Sequence, residues 1–160
     1  MNVVNLLMAA ALALLGGFAC ASVPRLPRVP GAGTGAVVLA TFNVNFGIGG
    51  AADNLEAIVE SGAEVVLLQE TTEEFEAAAA VMLSELYPHR AFRHYFRAGG
   101  LGILSKLPFE ERAYLTSPIN WFPAWILVVE TPAGPLQVLS VHLRPPVSDG
   151  GSWVSGYFTT

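Results

Sequence analysis

The stretch Ala36–Gln69, AVVLATFNVNFGIGGAADNLEAIVESGAEVVLLQ, decides the fold. Ala36–Asn45 is a β-branched and aromatic run, apolar enough for a buried strand. Gly47–Gly50 breaks it. Asp53 is a candidate N-cap with Glu56 as its capping-box partner. Leu55, Ile58 and Val59 then form the apolar stripe of a helix that runs to Ser61, where Gly62 stops it. Glu64–Gln69 is a second buried strand. Strand, helix and strand over this distance make a βαβ unit, which calls for parallel pairing and a right-handed crossover.

Downstream, Thr71 or Thr72 can cap a second helix, with Glu73, Glu74 and Glu76 in its first turns, where the dipole favours anions. Alanines, Leu83 and Leu86 carry it to Tyr87, and Pro88 ends it. The period then changes to two. His89–Phe96, Leu101–Ser105, Glu111–Leu115, Trp125–Glu130 and Leu136–Leu143 read as successive strands, joined at Gly99-Gly100, Leu107-Pro108, Pro118 and a hairpin at Pro132-Ala133-Gly134. The expected class is α/β, a mixed β-sheet with helices on one face. Within Tyr87–Arg97 (YPHRAFRHYFR) three arginines and two histidines alternate with aromatics. One reading is an edge that steers a phosphate-bearing substrate. The plainer one is a strand with Phe92, His94 and Phe96 on one face and Arg93, Tyr95 and Arg97 on the other.

Composition narrows the function. Of 160 residues 52% are apolar and 13% charged, and mean hydropathy is +0.50. Thirteen acids against eight bases leave a net charge of −5, the wrong sign for a general polyanion coat. Disorder is excluded by the aromatic and aliphatic content. The single cysteine, Cys20, forms no disulfide within the chain, and there is no Cys/His zinc cluster.

Residues 1–24 carry no charged side chain, and Ala19-Cys20-Ala21 fits a secretory cleavage site. Three readings of 1–21 stand: a cleaved signal peptide, a lipidated Cys20, or a retained anchor, since Val3–Ala21 is about 28 Å long as a helix. Each makes the protein exported, whether periplasmic, secreted or membrane-anchored. Against them, the segment opens without Lys or Arg, and Arg25 and Arg28 follow it, where positive charge disfavours translocation. Residues 22–35 (SVPRLPRVPGAGTG) form a Pro/Gly-rich linker, and the folded part, 36–160, starts near Ala36.

Three strands end in polar groups that their apolar runs do not explain: Asn43 and Asn45 in TFNVN, Gln69-Glu70 in LLQET, and His142 and Arg144 in LSVHLRP. In open α/β sheets the carboxyl ends of adjacent strands converge on one crevice. A carboxylate there suits Mg²⁺, an amide can orient a phosphate oxygen or the attacking water, and an imidazole can donate to a non-bridging oxygen as charge builds. Singly each has a plainer role: Asn43 as a turn former, Glu70 as a first-turn acid, His142 as a hydrogen-bonded core histidine.

FNVN, LLQET, GGLGILSKLPF and SVHLRP, in that order, resemble the endonuclease/exonuclease/phosphatase superfamily, the deoxyribonuclease-I-like fold. The resemblance spans Val37 to about Thr160. It implies a metal-dependent hydrolase of phosphoester bonds, with Glu70 on a divalent cation (Mg²⁺, or Mn²⁺ or Ca²⁺). Asn43 and His142 would be the catalytic contacts to phosphate and water, and Asn45, Ser105 and Arg144 substrate-binding residues. The substrate would be a nucleic acid, an inositol phosphate or a phospholipid headgroup, with no protein partner implied. Members normally continue with G-D-x-N and S-D-H motifs, and neither occurs here. The resemblance therefore implies half of a four-layer α/β sandwich, inactive alone and with one sheet face uncovered. A non-catalytic half-domain that binds a partner through that face is the alternative.

Overall fold

A computed structural model of the chain describes residues 36–48, 50–117 and 122–143. The leader and linker, and Arg144 with all that follows it, lie outside these residues. Among the described residues seven strands and two α-helices follow in the order β1 (Leu39–Asn43), α1 (Ala51–Glu60), β2 (Val65–Gln69), α2 (Glu73–Met82), β3 (His89–Arg93), β4 (Leu101–Ser105), β5 (Phe109–Leu115), β6 (Ala124–Thr131) and β7 (Gly134–Val141). No helix among the described residues is long and apolar enough to cross a membrane.

The βαβ unit forms as its pattern requires. β1 pairs parallel with β2 from Leu39↔Val65 to Asn43↔Gln69. β4 pairs antiparallel with both β2 and β3, giving the mixed order β1-β2-β4-β3. The carboxyl ends of β1, β2 and β3 therefore share one edge, where β4 begins. Cap chemistry differs from expectation in α1. Asp53 sits inside the first turn, and the N-cap is Gly50 at φ 118°, which no L-residue adopts readily. In α2 the expected cap holds, with the Thr72 hydroxyl accepting from Phe75 N–H. This helix stops at Met82, short of the expected Tyr87, yet Leu83 and Tyr87 stay buried and the Tyr87 hydroxyl donates to the Ala63 carbonyl at 3.0 Å.

Leu55 and Ile58 of α1 and Phe75 and Ala79 of α2 pack with Val66, Leu68 and Leu104 on one sheet face. Val59, expected in that stripe, is 45% exposed. The opposite face corrects the expectation of an uncovered sheet. The meander β5-β6-β7 does not extend the first sheet but forms its own. Its Trp125, Leu127, Val129 and Val138 pack on Val65, Leu67, Leu101 and Ile103. The alternation HPHP of β6 turns one side inward, and that side needs the apolar face of β2 and β4 to leave water. Coverage stops short of the edge. Leu39 and Thr41 of β1 face β7 across an open groove of about 420 Å³.

Ile58 and Ile103 report the two interfaces separately, since each is at most 1% exposed and sits on opposite sides of the sheet. Ile58→Val and Ile103→Val should each lower unfolding stability by about 0.5–1.5 kcal/mol in urea titrations. A negligible cost at Ile103 alone would mean that the second sheet does not cover the first.

Candidate active site

Asn43 ends β1, Glu70 and His142 directly follow β2 and β7, and the three side chains meet. The Asn43 amide donates to Glu70 Oε1 at 2.8 Å. His142 Nε2 lies 3.4 Å from the same oxygen, with both side chains about 15% exposed. The imidazole is oriented from behind. Its Nδ1 is 2.8 Å from the Ala98 carbonyl, which can only accept, so Nδ1 carries a proton and Nε2 is the nitrogen turned to the acid. A proton on Nε2 as well makes the ring a cation beside Glu70 and a donor toward the site. Phe122 stacks on the ring with centroids 4.7 Å apart and planes 14° from parallel.

The backbone that presents Glu70 is under strain. Glu70 has φ 58°, and Asn45 and Phe46 have φ 47° and 57°, all in the left-handed region that costs a non-glycine residue about 1–2 kcal/mol. Such conformations persist where surroundings over-determine them. Here Val44 N–H donates to Gln69 O and Phe46 N–H to Glu70 O, continuing the β1–β2 ladder past the strands. The Asn54 side chain ties α1 to the Val44 carbonyl. Just below, Gln69 and Thr41 share a cross-strand hydrogen bond of 3.0 Å.

The remaining sequence candidates divide. Asn45 reaches the cluster through its backbone, donating N–H to Asn43 Oδ1 at 2.8 Å. Its left-handed φ suits Asn better than most residues. Ser105 is a correction. It is fully buried at the far end of β4, paired with Val65 at the start of β2, about 13 Å along the strand from Leu101. Its hydroxyl serves the turn, donating to the Leu107 carbonyl and accepting from Leu107 N–H. Arg144 lies outside the described residues.

Ala98, Phe122 and Gly100 were not marked as site residues by the sequence. Gly99-Gly100 read as a joint between strands, and its true reason is crowding. A Cβ on Gly100 would come within 2.1 Å of the Thr71 carbonyl oxygen, so the loop before β4 closes against the loop after Glu70 only without a side chain there. Thr71 N–H donates to the Gly100 carbonyl across this contact. The glycine pair was the visible signal; Ala98 and Phe122 left none, since a carbonyl and a stacked ring have no motif.

A divalent cation is compatible with these groups. Asn43 and His142 both address Glu70 Oε1, so among the described residues the other carboxylate oxygen is left for a cation. Mg²⁺ needs one or two carboxylates and fills its shell with water and substrate phosphate. Among the described residues no three His, Cys, Asp or Glu side chains gather as a zinc site would require.

The fold and this rim define an α/β protein of two facing sheets with a carboxylate, an amide and an imidazole at converging strand ends. The model of the endonuclease/exonuclease/phosphatase family matches residues 40–157, and the chain belongs to that family. Membership makes it a hydrolase of phosphoester bonds at the level of the family, whose members typically use divalent metals. No curated protein matches the chain.

Gly100→Ala must push the Thr71 backbone away from its position. The expected cost is about 1–3 kcal/mol in thermal or urea unfolding, because the atom a Cβ would meet is backbone rather than the end of a flexible side chain.

Proposed function

We propose that the Asn43–Glu70–His142 rim binds and hydrolyses a phosphoester with Glu70 as ligand to Mg²⁺, or to Mn²⁺ or Ca²⁺. The convergence of the Asn43 amide and the His142 imidazole on one Glu70 carboxylate oxygen carries this reading. The bound cation supplies positive charge to a phosphate oxygen. Asn43, held by Glu70, orients a phosphate oxygen or the attacking water through its amide. His142, its Nδ1–H held by Ala98, donates from Nε2 in its doubly protonated form to a non-bridging oxygen as negative charge grows on it in the transition state. Water adds to phosphorus in line, and the bond to the leaving oxygen breaks.

Asn43, Glu70 and His142 are the groups of this chain on which the hydrolytic reading rests. The substrate lies within the phosphoester class, and its apolar leader favours an exported or membrane-attached enzyme. A binding protein without turnover is the second reading, favoured by the open groove between β1 and β7.

The test pairs metal binding with turnover. Titration with Mn²⁺, followed by its electron spin resonance, should show a site that Glu70→Gln weakens at least tenfold. Hydrolysis of an aryl phosphodiester with added Mg²⁺ should fall at least a hundredfold in Glu70→Ala. Turnover that survives this substitution removes Glu70 from the metal role, and Mn²⁺ binding without any turnover moves the protein to the second reading.

A further inference from the structure

Arg97 stands apart from the other cations of the described residues. Arg93 is paired with Glu111, Arg112 with Glu110, and Arg90 donates to the Ser84 and Tyr87 carbonyls. Lys106 sits over the Tyr87 ring, next to Ser105 and so at the opposite end of the sheet from Glu70. Arg97 has no carboxylate partner among the described residues. It departs from the strand alternation as well, because β3 ends at Arg93 and Arg97 opens a short 3-10 turn, Arg97–Gly99, with φ 53°.

That turn is pinned behind the His142 ring. The carbonyl of Ala98, the next residue, holds the His142 ring. Gly99 is buried where a Cβ would meet Tyr95 at 2.5 Å and Phe122 at 3.2 Å, and Gly100 is closed against Thr71. The Arg97 Cα is thereby fixed one residue from the group that orients the imidazole. Its guanidinium lies 5.1 Å from the Phe96 ring centroid, a stacking that limits its rotamers before any ligand arrives. The conformation is costly for arginine and free for glycine. A side chain kept at such a position, pre-ordered and without an acid to neutralise it, has the properties of an anion contact.

We infer that Arg97 is a substrate-binding residue whose guanidinium donates to the oxygens of the phosphate held at the Asn43–Glu70–His142 rim. The inference rests on the reading of that rim as a phosphoester site. In a chain of net charge −5, with a carboxylate at the centre of the rim, a fixed cation offsets the repulsion that a phosphate meets on approach.

The experiment uses the full chain, with inorganic phosphate in the presence of Mg²⁺ as probe, followed by titration calorimetry. Arg97→Ala and Arg97→Gly should weaken phosphate about tenfold to a hundredfold, with Arg97→Lys between them and the wild type. Arg97→Gly should also melt no lower than the wild type, because glycine relieves the left-handed backbone; a merely structural role for Arg97 would lower the melting temperature and leave phosphate affinity unchanged. If Arg97→Gly binds phosphate like the wild type while Asn43→Ala loses it, the inference about Arg97 falls and the rim reading stands. If Arg97→Gly loses phosphate and Asn43→Ala keeps it, the phosphate is bound away from the rim, and the rim reading falls together with the inference that rests on it. No uptake by the wild type, or equal uptake by all variants, overturns both.

Discussion

The site depends on one oxygen atom. Glu70 Oε1 takes the Asn43 amide and faces His142 Nε2, so the ends of β1, β2 and β7 are tied at a single point. Two of these strands belong to one sheet and the third to the other. The facing of the sheets and the assembly of the rim are therefore one event. If the apolar contact of Trp125, Leu127 and Val129 with Leu67, Leu101 and Ile103 loosened, His142 would leave the carboxylate even though no residue at the rim had changed. Hydrophobic burial, which has no direction of its own, here fixes a polar geometry that tolerates little displacement.

Strain is stored where that geometry is presented. Four non-glycine residues have left-handed backbones among the described residues, and all lie in the three loops that follow β1, β2 and β3, at Asn45, Phe46, Glu70 and Arg97. A loop selected only to connect β2 to α2 would place Gly or Asn at position 70 and avoid about 1–2 kcal/mol. Glutamate is there because the turn aims its carboxylate across the strand ends rather than along the strand. The cost is offset by backbone hydrogen bonds from Val44 and Phe46 and by the burial of Leu68 and Val66 immediately upstream.

Much of this was legible in the residue pattern, for physical reasons that also set its limits. Period and punctuation carried the elements: the runs at 36–45 and 64–69 both form strands, and β4 was delimited at Leu101–Ser105 to the residue, but of the two runs only β2 is buried, since β1 is the sheet edge and stays half exposed. Asn43, Glu70 and His142 were visible because polar side chains at the ends of apolar strands have no packing reason to be there. Ser105 failed the same test unnoticed. It too ends an apolar strand, but β4 runs antiparallel, so its last residue lies at the opposite edge and its hydroxyl serves a turn. Position within a strand is local information; strand direction is not. The division into two sheets was hidden for a related reason, since a meander can extend a sheet or face it with the same alternation.

Ala98 and Phe122 show a second limit. The group that orients His142 is a carbonyl, present at every residue, and the ring stacked on it comes from a distant segment. Neither has a spacing to detect. What the sequence did offer was Gly99-Gly100, which reads as a joint between strands. Both glycines are instead sites of close approach, one to Tyr95 and Phe122 and one to the Thr71 backbone. That approach draws the loop before β4 down onto the loop after β2, which brings Ala98 within reach of the imidazole. A residue without a side chain thus does as much for the orientation of His142 as any polar group beside it.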